Sequence, residues 1–366
     1  MEKAVICLLC GGKSTEHEVS LQSGRNVWQA LPRDKYEVLV IGIARNGVWY
    51  YYGDRECAQN FEDAQKICLK PDGKECALVR TESGVAIAET TGASVHKIDV
   101  VFPVLHGANG EDGAVQGLCQ MMGVPCVGSD QASSACCMDK DITKKLLTIA
   151  NIRVAPGLVL KRSDYYDCAR IVTEFNLPLF VKPAKTGSSV GITKVKTEEM
   201  LEGAIENAFR YDDKILIEKA IVGREIECAV LERADGHLFC PDPGEVILHA
   251  EFYSYEAKYC SPDEAELSLP AKIQETEKTQ IKEMAKKAFR ALGCNGMARI
   301  DFFLRPRGGV VLNELNTIPG FTKISFYPML MQNGGISYPE LLAELIEGTR
   351  SLAKKKENLN LDIKNY

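Results

Sequence analysis

No run of this chain is long and apolar enough to span a bilayer as a helix, so helical membrane proteins are excluded. A secretory leader is not expected either: after Met1-Glu2-Lys3 the apolar run 4–10 is short and meets Gly11-Gly12 at once. Histidine is scarce, with 5 in the chain, and no His cluster accompanies Cys7-Leu-Leu-Cys10. That CxxC spacing is therefore expected on a buried strand rather than at zinc or a redox centre. Long basic blocks are missing and the net charge is −6, which argues against nucleic acid or an anionic membrane as the main partner. No GxGxxG follows the first apolar run, so a dinucleotide site is unsupported. Gly12-Lys-Ser14 resembles the end of a P-loop, but Cys7 stands where that pattern needs its first glycine. No internal repeat is visible.

What is present is a globular composition, 45% hydrophobic and 26% charged. At 366 residues, two or three domains are expected. The 14 cysteines are scattered through apolar runs, where thiols behave as small buried hydrophobes, and a reduced cytoplasm is the expected compartment. Continuous apolar runs at 38–43 and 99–105 join 4–10 as candidate parallel strands. Ser20 is placed to cap a helix reaching Leu31. Strands alternating with helices imply an open α/β sheet, whose ligands bind outside the carboxyl ends of its strands. Two polar, glycine-rich loops follow such ends, at 11–20 and 106–113. Residues 125–129 read as a short strand and turn. Residues 132–149 are helical in composition and carry Lys140 and Lys144, with a first boundary near 132. Residues 279–292 form an amphipathic helix stopped by Gly293. The tail from Lys354 is polar and expected to be loosely held.

Residues 299–304 and 310–316 are strand-like and flank Arg-Pro-Arg-Gly-Gly, so a hairpin is predicted. Alternation puts Arg299, Asp301 and Phe303 on one face of the first strand, and Leu312, Glu314 and Asn316 on one face of the second. A turn centred near Arg307-Gly308 sets Asp301 opposite Glu314. Directly opposed carboxylates repel, and a divalent cation between them removes that penalty. Oxygen ligands without Cys or His select Mg²⁺ or Mn²⁺, which take substrate phosphates as further ligands.

Lys182 ends the apolar run 179–182, and Glu218-Lys219 ends the run 215–218. Gly187-Ser-Ser-Val-Gly191 offers backbone N–H and hydroxyl donors suited to phosphate. A strand simply meeting solvent would explain any one of these features. Together with Lys144 and the carboxylate hairpin they point to a nucleotide site.

At these residues the chain resembles the D-alanine–D-alanine ligases, of the ATP-grasp superfamily. The carriers span nearly the whole chain: Glu16-His-Glu-Val-Ser20, His106-Gly-Ala-Asn-Gly-Glu-Asp-Gly113, Ser134-Ala-Cys-Cys-Met-Asp-Lys140, Val181-Lys-Pro183, Ile217-Glu-Lys219, Tyr255-Glu-Ala-Lys-Tyr259 and Asn313-Glu-Leu-Asn-Thr-Ile-Pro-Gly-Phe321. The resemblance implies a three-domain α/β ATP-grasp architecture: an N-terminal parallel-sheet domain over 1–132, a central subdomain over 133–218 and a C-terminal one over 219–366. It implies ATP, two Mg²⁺ (or Mn²⁺) and D-alanine, and a homodimer. By motif position, Lys144 and Lys182 would hold phosphates. Glu218, Lys219 and Ile221 would face adenine, and Glu225 the ribose. Asp301, Glu314 and Asn316 would hold the metals. Glu16 would receive the first ammonium and Ser325 the second carboxylate. Ser188 and Tyr259 would link Glu16 to a closing loop at 255–262. Arg299 and the Gly320 N–H would meet the oxyanion, with His106 and Lys258 close to substrate or phosphate.

The implied chemistry is self-consistent. Phosphorylation turns a carboxylate into an acyl phosphate, whose leaving group is phosphate instead of oxide, and cations neutralise the transferring group. Acyl phosphates hydrolyse, so a loop that excludes water has a purpose. Among relatives, lactate-using ligases carry His at the position of Tyr259, so an amine acceptor is expected. Serine-using ligases carry Asp and Arg near Gly244 and Phe326, so D-alanine is favoured as acceptor, with D-serine as the alternative and D-lactate behind it. Lys323-Ile324 replaces a Ser-His pair found in some relatives. The resemblance further implies a role in peptidoglycan precursor synthesis.

Overall fold

The computed structural model describes residues 3–63, 66–92, 94–248, 265–306 and 308–357. Three large sheets organise them, beside a two-stranded one of Ala58–Gln59 and Cys68–Leu69. The first runs Val95–Ile98, Gly84–Glu89, Lys74–Thr81, Trp49–Gly53, Tyr36–Ile43, Ala4–Gly11, Val100–Pro103. Only its core is parallel, Ala4–Gly11 pairing in parallel with the strands on both sides. The remaining strands extend it by antiparallel hairpins, so the sheet is mixed. Cys7 and Cys10 are both fully buried on the central strand, as a continuous apolar run requires.

The loops at 11–20 and 106–113 leave the carboxyl ends of adjacent parallel strands and so come together. Ser20 is not a cap. The helix begins earlier, spanning His17–Ala30. Ser20 Oγ instead accepts from Gly11 N (2.8 Å) and donates to Val104 O (2.5 Å), pinning the helix to both strand ends.

Residues 132–149 are not one helix. Gln131–Met138 and Lys140–Ile149 meet at Asp139, whose extended backbone breaks the rise and whose carboxylate caps the second helix at Asp141 N and Ile142 N. The second sheet is antiparallel, in the order Gly157–Lys161, Lys214–Lys219, Leu179–Pro183, Thr193–Val195. Alternation sends Leu179, Val181, Ile215 and Ile217 into a core of their own, with helices Cys168–Phe175 and Glu199–Ala208 over it. Lys182, Leu216 and Glu218 take the opposite face.

The third sheet carries Ala265–Ser268, Gly244–Leu248, Arg224–Glu232, Met297–Leu304 and Val310–Asn316, with Leu238–Phe239 beside Arg224–Glu232. The amphipathic helix, Glu275–Ala291, buries Ile281, Ala285, Ala288 and Phe289 against it. The polar tail begins inside a helix, Tyr338–Glu357, which contains Lys354 to Lys356. That helix belongs to a core shared between the first and third sheets: Ile6, Leu8 and Phe102 pack with Phe321, Tyr327 and Leu341. Phe321 sits at its centre, 6.1 Å from the Phe102 ring and 6.0 Å from that of Tyr327. No helix among the described residues is long and apolar enough to cross a membrane.

Candidate active site

The predicted hairpin forms, with Asp301 opposite Glu314 and Arg299 opposite Asn316. One feature departs from simple alternation. A bulge between Asp301 and Phe302 sets Phe302 against Leu312, leaving Asn313 as the extra residue. Leu312 therefore lies in the core with Phe302 and Leu315, and does not share a face with Glu314. Without the bulge, an outward Glu314 would have required an outward Leu312.

A cation already stands beside these carboxylates. Arg299 grips Asp301 with both arms, Nε to Oδ1 at 2.9 Å and Nη2 to Oδ2 at 2.7 Å, and reaches Glu227 Oε2 at 2.9 Å. Burial opposes the Arg299 charge, but Asp301 and Glu227 outweigh it and hold its pKa well above the ordinary value. The repulsion that called for a metal is thus partly relieved by arginine. The donor set still fits a hard cation. Among the described residues, Asn316 Nδ2 is buried without a hydrogen-bond partner. Turning that amide over aims its carbonyl oxygen at the same point, the form Mg²⁺ takes.

One small cavity, of about 120 Å³, is lined by Glu16, His106, Ser188, Arg299, Glu314, Asn316, Gly320 and Ser325. These residues come from the loops after two parallel strands, the glycine-serine loop, the hairpin and the segment after it. Glu16 ends the loop before the first helix and is buried, and Ser188 Oγ donates to its Oε1 at 2.5 Å. Ser188 reaches it because Ser188 and Ser189 both hold left-handed backbone, φ 49° and 59°. His106 Nδ1 is 3.2 Å from Ile318 O, and its Nε2 is 3.2 Å from Ser23 Oγ. A carbonyl only accepts, so Nδ1 carries the proton and Nε2 accepts from Ser23. Burial lowers the His106 pKa against the pull of Glu16, which agrees with a neutral ring. Ser325 stands at the N-cap position of the helix Phe326–Asn333, but its Oγ accepts from Thr322 N at 2.9 Å rather than from the helix.

Lys182 and Lys144 converge on one partner: each Nζ is 2.6 Å from a different oxygen of Glu218. Burial pushes the Glu218 pKa up, but Lys182 and Lys144 more than offset it, leaving the carboxyl below its usual range. Burial brings Lys144 down to about 8. The Glu218 side chain is thus committed to two lysines. Lys219 N–H is likewise engaged, donating to Pro156 O at 2.9 Å. Ile221 lies on the connection into the third sheet and Glu225 in its strand Arg224–Glu232, both partly exposed. Lys258, Tyr259 and the loop 255–262 lie outside the described residues.

Three residues at the site were given no role there from the sequence. Lys140 Nζ donates to Thr186 O at 2.7 Å and shares a cavity of about 40 Å³ with Glu314 and Asn316. Burial lowers its pKa, with Glu314 pulling the other way. Glu111 lines both cavities, and desolvation plus the Glu16 charge push it up to about 8. Glu227 faces Asp301 across strands and holds Arg299. The signal for Lys140 and Glu111 was available, since each ends or interrupts a motif quoted above. Glu227 sits mid-strand among apolar residues and announces itself only by burial.

An antiparallel sheet bearing buried Lys182 and Glu218, with a second sheet that bears a carboxylate pair, is the ATP-grasp fold. Family models agree along the chain: residues 5–129 match "D-ala D-ala ligase N-terminus" and residues 146–347 match "D-ala D-ala ligase C-terminus". The chain belongs to the D-alanine–D-alanine ligase family. It is 48% identical over 356 residues, 95% of each chain, to a protein named D-alanine–D-alanine ligase A from Chromobacterium violaceum. The D-alanine–D-alanine ligase from Coxiella burnetii superposes with a TM-score of 0.85 at 36% identity, over 98% of this chain and 97% of that one. The VanG D-Ala:D-Ser ligase from Enterococcus faecalis superposes with a TM-score of 0.79 at 37% identity, over 95% of this chain and 100% of that one.

Proposed function

We propose that this protein joins two D-alanine molecules in the cytoplasm, using ATP and Mg²⁺ (or Mn²⁺), through a D-alanyl phosphate. The observation that carries this reading is the single cavity in which Glu16, Arg299 and Ser325 meet the Glu314–Asn316 edge. An ammonium receptor, an oxyanion cation and a carboxylate receptor there adjoin metal ligands. In this reading Lys144 and Lys182 hold phosphates, with Lys140 added beside the metal edge. Glu218, Lys219, Ile221 and Glu225 line the adenosine site. Asp301, Glu314 and Asn316 hold the metal, which neutralises charge on the transferring phosphoryl group when bound. Arg299 and the Gly320 N–H receive the oxyanion, and His106 and Lys258 stand close to substrate.

For the acceptor, D-alanine is supported by the pocket wall. A Cβ on Gly244 would sit 2.5 Å from Phe326 Cζ, so Gly244 and Phe326 pack directly on each other, and neither offers a polar side chain to bind a hydroxyl. The domain limits 1–132, 133–218 and 219–366, assembly as a homodimer, Tyr259 as acceptor selector and a place in peptidoglycan precursor synthesis belong to the same reading. Incubation with ATP, Mg²⁺, D-alanine and each of D-serine and D-lactate, followed by mass analysis, should show D-alanyl-D-alanine as the main product. Absence of any dipeptide would sink the ligase reading, and a predominant D-alanyl-D-serine would move it to the serine type.

Ser188→Ala should raise KM for the first D-alanine by about tenfold to a hundredfold, because a hydrogen bond to a charged group contributes about 1.5–3 kcal/mol. KM for ATP should stay within about twofold. Steady-state kinetics against each substrate separates the two, and an unchanged KM for D-alanine would remove Ser188 from the site.

A further inference from the structure

A third cavity, of about 390 Å³, adjoins the site, and apart from Glu16 its charged lining has no part in the ligation reading. Three cations line it: Lys13 from the loop after the first strand, Arg45 beyond Tyr36–Ile43 and Lys185 beyond Leu179–Pro183. The hydroxyl residues Ser14, Thr15 and Thr186 join them. Among the described lining residues the acid is Glu16, which is already committed to Ser188. Two of the three cations have a counter-charge outside the lining. Arg45 pairs with Glu18, and Lys185 Nζ stands 3.9 Å from Asp213 Oδ1. Among the described residues no carboxylate pairs with Lys13. Cations from three separate segments, with hydroxyl donors between them, suit a small oxyanion of charge −2 better than a singly charged one.

The position says which oxyanion. The cavity that holds Lys140, Glu314 and Asn316 is walled by Met138, Thr186 and Gly187, and the same three residues wall the cationic cavity. The two spaces therefore share a wall. We propose that the Lys13–Arg45–Lys185 cavity is a phosphate-dianion site, the port through which inorganic phosphate leaves after the acyl transfer. The role as a port rests on the ligation reading; the anion site does not. The cations draw the released dianion away from the metal edge, and their exposure lets it pass to solvent.

Titration of inorganic phosphate into the full chain without added metal tests the site directly. Wild type should bind, and Lys13→Gln/Lys185→Gln should weaken binding by about tenfold with an unchanged thermal midpoint. Binding should also weaken as salt is raised. No binding to wild type, or equal binding to the double variant, would overturn the site, whether or not dipeptide is made. In turnover, the phosphate inhibition constant should rise by the same factor in the double variant while KM for ATP stays put. If inhibition is unaltered, phosphate acts at the metal edge and the port is refuted. A chain that binds phosphate in this way but makes no dipeptide would keep the site and refute the ligation reading alone.

Discussion

Asp301→Asn should lower ATP-dependent phosphate release by roughly a thousandfold, the scale of several kcal/mol of metal-borne charge stabilisation. The substitution is isosteric, and the register explains why the fold should survive it. Asp301 lies opposite Glu314 and beside Glu227, so the edge holds more negative than positive charge before any metal arrives. Removing one carboxylate relieves that repulsion. Arg299 loses its bidentate partner but keeps Glu227 Oε2 at 2.9 Å. It is therefore not left as an unpaired buried charge, the case that costs most. Phosphate release and the thermal midpoint should be measured together. Normal turnover in a folded variant would refute Asp301 as a ligand.

Glu218→Gln should cost about 3–5 kcal/mol of stability, because it leaves two buried ammonium groups facing each other without a counter-charge. Both lysines are 8% exposed and Glu218 is 4% exposed, so water screens little of this. The pH dependence follows from the direction of each shift. In wild type the folded Glu218 pKa lies below its ordinary value. Its contribution is present above the unfolded pKa and is lost as pH falls through the folded one. Lys144 runs the other way. Its folded pKa is about 8 against an ordinary 10.5, so between those values the unfolded chain binds more protons and stability rises with pH. Without Glu218 the Lys144 pKa falls further, so that rise begins at lower pH. The variant's deficit should therefore be largest near pH 6, shrink as pH rises toward 8 and level off above it. Urea midpoints at pH 6 and pH 9 give the comparison. Equal stability of the two proteins at pH 6 would mean that the bridge does not hold the lysines.

Several elements were legible before folding was considered. The apolar runs became strands, and the Arg-Pro-Arg-Gly-Gly turn set the hairpin register that faces Asp301 with Glu314. Local spacing carries that information, because a hairpin brings sequence neighbours together. Ser20 was misread for an instructive reason. Its hydroxyl is a good cap in isolation, yet Gly11 N and Val104 O compete for it once the strands are in place. The break at Asp139 was missed because the residues on both sides of it favour a helix, and only the tertiary path asks for two.

By itself, the sequence determined the strands, the oxygen-only ligand set, and the motifs that place the chain in its family. These depend on residue type and short spacing. The tertiary structure decided which of those residues meet. Phe321 and its neighbours join the first and third sheets into one core, and that packing brings Glu16 and His106 to Arg299 and Ser325. The bulge at Asn313 lets Leu312 stay buried while Glu314 faces out. The commitment of Glu218 to two lysines, and of Arg299 to two carboxylates, likewise appears only in space. Charge pairing across segments far apart in the chain depends on where packing leaves each side chain, and no local pattern records that.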